Sequence, residues 1–159
     1  MLDFRKATIN DLDDLAKIRS IFLMEMENEH SETKREKMEA ANRAYFEKSL
    51  ADDSFVAWLA VADGKIVGTS GLSFYIIPPN NNCPDGRVAN IMNMFTFPEY
   101  RKQGIATELF KRIVEEAKLR GYKRIALNAT SAGKPLYEKY GFKDAVGDMI
   151  FHVKTEAAQ

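Results

Sequence analysis

One segment near the middle of the chain constrains the fold more than any other: an apolar run, a glycine-containing turn and an amphipathic helix follow one another directly. Residues 88–97 are apolar on both alternating faces, which is typical of a strand covered on both sides in the middle of a sheet. The turn contains Gly104, and apolar residues then recur at helical spacing until Gly121. A second apolar run follows at 124–129. Two strands joined through one helix predict a parallel pair with a right-handed crossover.

The start of that helix predicts an anion site. The first turn of a helix presents backbone N–H groups without intrahelical acceptors, together with the positive end of the helix dipole. Gly104 and Ala106 carry little or no side chain, so a phosphate can approach these groups. We expect the amides of residues 103–107 to bind it, with Arg101 and Lys102 adding charge. The alternative is a helix start that needs small residues only for packing against the sheet.

Two helices are predicted in the N-terminal third of the chain. Asn10 is expected to cap the first, because three aspartates fill the turn that follows it. The apolar face of this helix is Leu12, Leu15, Ile18, Phe22 and Met26. Ser31 and the Thr33-x-x-Glu36 box indicate a second helix that runs to about Leu50. The predicted buried stripe of the second helix is Met38, Ala41, Tyr45 and Phe46.

Turn chemistry organises the remaining strands. Asp63-Gly64 separates two strand-like runs, 55–62 and 65–77, and indicates a two-residue hairpin. The loop at 78–86, rich in proline and asparagine, is expected at the surface and suited to shape a binding site. The other predicted elements are a strand at 2–7, a helix at 133–140 and strands at 142–144 and 148–154. This order predicts one α/β domain over residues 1–159 with a mixed sheet.

Composition excludes several classes of function. The 159 residues include 23 basic and 23 acidic side chains, so the net charge is zero, which argues against a broad nucleic-acid-binding surface. No apolar run approaches the length that crosses a bilayer. A single cysteine cannot form an internal disulfide, and no leader-like segment opens the chain. We expect a cytoplasmic protein with neither nucleic acid nor a membrane as partner.

Two motifs resemble those of the GNAT acetyltransferase superfamily. Arg101-x-x-Gly104-x-Ala106 resembles the signature Q/R-x-x-G-x-G/A, which holds the pyrophosphate of acetyl-coenzyme A in that family. Residues 136–142, LYEKYGF, resemble its second hallmark, LYEKLGF. The resemblance implies a GNAT-like mixed, mostly antiparallel central sheet flanked by helices, with a parallel strand pair splayed to hold coenzyme A. It implies acetyl transfer from acetyl-coenzyme A to a primary amine of a small molecule or peptide by direct attack, without a metal.

The resemblance also assigns roles to residues. Tyr137 matches the tyrosine that donates a proton to the departing thiolate, and a phenol suits this because it stays protonated at neutral pH. Asn93 lies near the strand position of a common catalytic glutamate; it can orient an amine or a water, but it cannot take the proton. The residues implied to bind coenzyme A are Met94, Phe95, Thr96, Arg101, Lys102, Gln103, Gly104, Ile105, Ala106, Thr107, Asn128 and Thr130. Those implied to bind the acceptor are Met26, Glu29, His30 and Tyr75.

The sequence does not identify the general base. Glu25, Glu27, Glu29 and His30 are candidates near the junction of the first two helices, although acidic runs at helix ends are more often solvated surface charges; a water relay is an alternative. The missing strand carboxylate motivates a second hypothesis, an acyl-coenzyme A-binding sensor or degenerate module without turnover. Another type of nucleotide-binding domain is disfavoured, because neither G-x-G-x-x-G nor G-x-x-x-x-G-K-[ST] occurs. The sequence does not determine the acceptor. Members of the family are often dimers, so the resemblance is compatible with a homodimer.

Overall fold

A computed structural model of the chain describes residues 1–145, 147 and 149–153. It divides into two compact units, Met1–Asn128 and Ala129–Gln159. The elements of the first unit are β1 (Leu2–Lys6), a 3-10 turn (Ile9–Asp11), α1 (Leu12–Glu27), α2 (Glu32–Ala51), β2 (Phe55–Ala62), β3 (Lys65–Ile76), β4 (Arg87–Thr96), a second 3-10 turn (Pro98–Tyr100), α3 (Ile105–Leu119) and β5 (Arg124–Leu127). The second unit contains α4 (Lys134–Lys139).

The first unit is built on a five-stranded sheet in the order β1-β2-β3-β4-β5. The first four strands pair antiparallel, and β4 pairs parallel with β5. This confirms the predicted mixed, mostly antiparallel sheet with one parallel pair. The predicted hairpin is also confirmed, because Asp63 (φ 49°) and Gly64 (φ 78°) both adopt the left-handed conformation of a primed two-residue turn.

Helices cover both faces of the sheet. On one face, Leu15 of α1 and Phe46 of α2 pack with Leu59 of β2. On the other face, the neighbouring strand residue Ala60 packs with Leu109 of α3. Adjacent strand residues point to opposite faces, so β2 serves both layers and α3 lies opposite α1 and α2. Within the part of the chain that the structure describes, no helix is both long and apolar enough to cross a membrane.

The helix starts and faces depart from the sequence prediction at several positions. Thr8, not Asn10, caps the first 3-10 turn, in a capping box with Asp11. Ser31 is the N-cap residue of α2, as the sequence indicates, and its hydroxyl accepts a hydrogen bond from the amide of Lys34. Only Phe46 of its predicted stripe is buried, because a single turn of α2 reaches the sheet layer. The predicted apolar positions that are exposed instead are Met26, Met38, Ala41 and Tyr45.

The loop at 78–86 and the C-terminal segment also differ from expectation. Cys83 is buried, because Asn80 and Cys83 exchange two backbone hydrogen bonds that fold the loop back on itself. No strand forms at 142–144, where the prediction is wrong. Of the strand predicted at 148–154, the five residues 149–153 are not in a strand, and the end residues lie outside the described residues.

Candidate active site

A bulge divides β4 into two halves. Asn93 and Met94 together face Ser70 of β3, between the register pairs Gly71↔Met92 and Thr69↔Phe95. Asn93 has a φ of 55°, an uncommon left-handed conformation for a residue other than glycine, and one that asparagine tolerates best. The carbonyl of Asn93 accepts a hydrogen bond of 2.8 Å from the buried Thr69 hydroxyl. The bulge is therefore fixed from the side of β3.

The other edge of β4 is open beyond Ile91. The parallel ladder with β5 runs from Val88↔Arg124 to Ile91↔Leu127 and stops there. Residues 92–96 continue as a strand, yet in the described part of the chain no strand pairs with them on this side. We call this segment the open edge of β4. A strand edge with unpaired backbone groups accepts an extended ligand as an additional strand.

The N-terminus of α3 follows the open edge after a short turn. Gly104 is the N-cap residue, with φ 81°, and no side chain caps the helix. Its carbonyl accepts the first helical hydrogen bond, from Glu108. No described residue accepts a hydrogen bond from the amides of residues 103–107, which we call the α3 cradle. A Cβ built on Gly104 meets no described atom within 4 Å, so a ligand can approach the backbone at Gly104.

Arg101, expected to add charge to the cradle, is held elsewhere. Its Nε donates to the Thr96 carbonyl at 2.8 Å, and its Nη2 pairs with Glu25 of α1 at 2.7 Å. The guanidinium also lies 5.7 Å from the centre of the Phe95 ring. Arg101 thus ties the end of β4 to α1. Of its neighbours, Lys102 has a φ of 60° and Gln103 donates to the Glu99 carbonyl; Lys102, Gln103 and Ala106 are exposed, Thr107 is partly buried and Ile105 is buried in the core.

Three successive positions on one face of α1 lie along the second half of β4. Arg19 Nη1 donates to Asn93 Oδ1 at 2.6 Å, and the Phe22 ring lies 5.7 Å from that of Phe95. Glu25, one further turn along, makes the ion pair with Arg101 described above. Asn93 therefore contacts an arginine that sequence reasoning missed. The two partners are 74 positions apart, and no local motif signals such a pairing.

The predicted acceptor residues are not gathered at one point. Glu29 accepts from the amides of His30 and Ser31 and from Lys34. The Lys34 hydrogen bond, followed by those two amides, lowers the pKa of Glu29 and makes it a weaker proton acceptor. His30 is exposed, as is Met26 at the end of α1. Tyr75 is exposed on β3, opposite Val88 at the other end of β4.

The second unit is organised around Tyr137. Its side chain is buried, and burial raises the pKa of its phenol, so the proton stays on at neutral pH. A Cβ on Gly133 would lie 2.8 Å from the Tyr137 ring and hydroxyl, which explains glycine at this position. Thr130 Oγ1 and carbonyl both accept from the Gly133 amide, so the threonine shapes the turn before α4. Asn128, at the end of the first unit, is exposed.

Comparisons with known proteins match this architecture. The model of the acetyltransferase (GNAT) family matches residues 15–142. A predicted acetyltransferase from Clostridium acetobutylicum, solved with acetyl-CoA, is 34% identical, with a TM-score of 0.87 over 96% of both chains. A GCN5-related N-acetyltransferase from Ralstonia eutropha JMP134 is 26% identical, with a TM-score of 0.85 over 96% of this chain and 99% of that one.

Two relatives known from their sequences add breadth. An uncharacterized N-acetyltransferase of Bacillus subtilis, YsnE, is 28% identical over 83% of both chains. The N-acetylaspartate synthetase of Xenopus tropicalis is 35% identical over 60% of this chain, and the match spans 33% of that protein's length. The family model covers the open edge of β4, the α3 cradle and the Tyr137 motif within one match. On this evidence the chain belongs to the GNAT family of acetyltransferases.

Proposed function

We propose that this single-domain protein is an N-acetyltransferase that moves the acetyl group of acetyl-coenzyme A to a primary amine by direct attack. The observation that carries the proposal is the continuity of unpaired backbone groups from the open edge of β4 to the α3 cradle. An extended arm can pair with the first and a diphosphate with the second. The relative solved with acetyl-CoA, 34% identical over nearly the whole chain, supports the same ligand here.

The residues present fit that co-substrate. Acetyl-coenzyme A, when bound, would supply an activated thioester. The amides of residues 103–107 would bind its diphosphate, and one backbone N–H among residues 94–96 would donate to the thioester carbonyl oxygen. Asn93 would orient the incoming amine. Arg101 belongs to the scaffold of this site, since it holds Thr96 and Glu25 together.

Bond changes in the proposed transfer balance without a covalent enzyme intermediate. A C–N bond forms, the C–S bond breaks, the amine loses one proton and the thiolate gains one. Tyr137 is assigned the second proton, because burial keeps its phenol protonated. Glu29, held by Lys34 and by two backbone amides, is a poor candidate for the first proton. A water relay from the neighbourhood of Asn93 is therefore the proposed route for the first proton.

One observation favours a second candidate, an acyl-coenzyme A-binding module without turnover. Asn93 occupies the middle of β4 on the α1 side, and an amide cannot take up a proton. Free-thiol release from acetyl-coenzyme A, measured across a panel of primary amines, separates the two. Acceptor-dependent release supports the transferase. Coenzyme A binding by calorimetry without release by any amine supports the binding module.

Tyr137→Phe tests the assigned acid with Tyr140→Phe as its matched control, three residues further along the chain. We expect Tyr137→Phe to lower kcat by about 100-fold and to leave coenzyme A affinity within about twofold, because a phenyl ring keeps the packing. Tyr140→Phe should leave both unchanged. Steady-state kinetics and calorimetry check this, and an unchanged kcat in Tyr137→Phe would remove the role.

A further inference from the structure

Arg19 is a half-buried cation with no carboxylate partner among the residues that the structure describes. It lies on α1 at the level of the β4 bulge, partly withdrawn from water. Its one hydrogen bond among the described residues runs from Nη1 to the neutral Asn93 Oδ1. A guanidinium has five N–H donors and no acceptor, so most of its donors remain for another group. Burying a cation without a counter-ion costs free energy, unless a ligand supplies the negative charge.

Other arginines of the same helical layer are paired. Arg35 of α2 holds both Glu32 and Glu39, and Arg43 holds Asp13 of α1. Carboxylates are thus plentiful in this layer, and the chain places none of the described ones within ion-pair distance of Arg19. The unpaired charge is a local property of the position beside the bulge.

Arg19 and the amide NH₂ of Asn93 both offer hydrogen-bond donors beside the bulge. Because a guanidinium only donates, Asn93 must turn its oxygen toward Arg19, and its amide NH₂ is then available to a ligand. Burial lowers the pKa of Arg19, and the neighbouring Tyr45 of α2 acts in the opposite direction. Burial likewise raises the pKa of Tyr45, so its phenol remains protonated and carries an O–H. The guanidinium and the Asn93 amide together present positive charge and hydrogen-bond donors beside the bulge.

We propose that Arg19, with Asn93 beside it, binds a carboxylate carried by the acceptor, so that the amine substrates are amino acids or other amines bearing a carboxylate. A planar carboxylate matches the fork of a guanidinium with two parallel hydrogen bonds. A carboxylate bound by Arg19 would place the acceptor beside the bulge, which lies within the open edge of β4. This inference rests on the proposed function and deepens it by naming the substrate class.

The experiment compares matched acceptors that differ only in the anionic group. Free amino acids, their α-carboxamides and the corresponding aminoalkylphosphonates are tested with acetyl-coenzyme A by thiol release. We expect the wild type to prefer the carboxylate over the carboxamide by about 30-fold in kcat/KM. Arg19→Gln should bring that ratio close to 1 by raising KM for the carboxylate, and Arg19→Lys should restore part of it. Arg43→Gln, which removes a paired arginine from the same layer, should leave the ratio unchanged.

Several outcomes overturn the inference. These are equal use of carboxylate and carboxamide by the wild type, preference for the phosphonate, and an unchanged ratio in Arg19→Gln. If no amine releases thiol, the proposed function fails, but carboxylate binding by Arg19 can still be tested without turnover. Thermal stabilisation by the same amino acids is then measured with coenzyme A present. Stabilisation in the wild type and Arg43→Gln but not in Arg19→Gln supports carboxylate binding; its absence in the wild type, or its persistence in Arg19→Gln, refutes it.

Discussion

The two sides of β4 beyond Ile91 are built by different parts of the chain. Toward α3, the open edge and the α3 cradle consist of backbone groups within one continuous stretch, residues 92–107. Toward α1, the bulge is met by the side chain of Arg19, 74 positions from its partner Asn93. A site made of backbone groups recognises the part of the cofactor that all coenzyme A thioesters share. The specificity of a site made of side chains can change with a single substitution. With the sites as we propose them, local geometry specifies the acyl donor and long-range packing specifies the acceptor.

The largest effect is expected from a charge placed in the α3 cradle. Ala106→Glu puts a carboxylate at an exposed position in the first turn of α3, where it would repel a diphosphate. We expect coenzyme A affinity, measured by calorimetry, to fall by about 100-fold, since like charges about 4 Å apart near a protein surface repel by several kcal/mol. Folding stability should not fall, because acidic residues are favourable at a helix N-terminus.

Ala106→Gln is the control for that variant, since it has the same size without the charge. It should reduce the affinity by less than about threefold. Equal losses of coenzyme A affinity in the two variants would assign the effect to the size of the side chain. No loss of affinity in either variant would show that the diphosphate binds away from the α3 cradle.

A smaller effect is expected on the opposite side of β4. Asn93→Asp puts a carboxylate where Arg19 now contacts a neutral oxygen at 2.6 Å, so the protein itself would neutralise the guanidinium. The preference for carboxylate over carboxamide acceptors should fall by about tenfold, without loss of thermal stability. Coenzyme A affinity should stay within about twofold. If coenzyme A affinity fell by as much as the preference for carboxylate acceptors, the variant would affect both sides of β4 and the two sides would not be separable.

A third variant weakens the fold away from both sides. Asp11 is buried and accepts two hydrogen bonds from Arg5, at 2.8 and 2.7 Å, and one from the Thr8 amide. The Arg5 hydrogen bonds lower the pKa of Asp11, although burial opposes them. A carboxyl whose pKa is lowered by folding stabilises the protein above its unfolded pKa, near pH 4, and loses that contribution as pH falls through the folded pKa.

Asp11→Asn should therefore cost about 1–2 kcal/mol of unfolding free energy at pH 7. The difference from the wild type should shrink as the pH falls below about 4. Urea denaturation at pH 7 and pH 3 measures it, and a difference that grows toward pH 3 would contradict the assignment. Neither coenzyme A affinity nor acceptor preference should change at pH 7, which separates lost stability from a damaged site.

The sequence predicts one side of β4 far better than the other, for a physical reason. A helix that begins after Gly104, and a parallel crossover from β4 to β5, follow from turn chemistry and apolar spacing over about 40 neighbouring residues. The hairpin at Asp63-Gly64 is equally local. The contact of Arg19 with Asn93, and the small share of α2 that is buried, depend on how distant segments pack. The strand predicted at 142–144 shows the same limit, because strand propensity does not guarantee a pairing partner.

Arg101 joins the two sides, and its removal tests which of them it serves. Its guanidinium bonds the Thr96 carbonyl and pairs with Glu25, with the two side chains 41% and 47% exposed. Such pairs contribute about 0–1 kcal/mol, so Arg101→Gln and Glu25→Gln should each lower stability by that amount. Both should weaken coenzyme A binding by only about two- to threefold.

If Arg101 instead bound phosphate directly, its variant alone would lose about tenfold in affinity, and the loss would shrink between 50 and 500 mM salt because screening weakens exposed charge pairs. Equal, salt-insensitive losses in the two variants would place Arg101 in the scaffold that holds the strand end against α1.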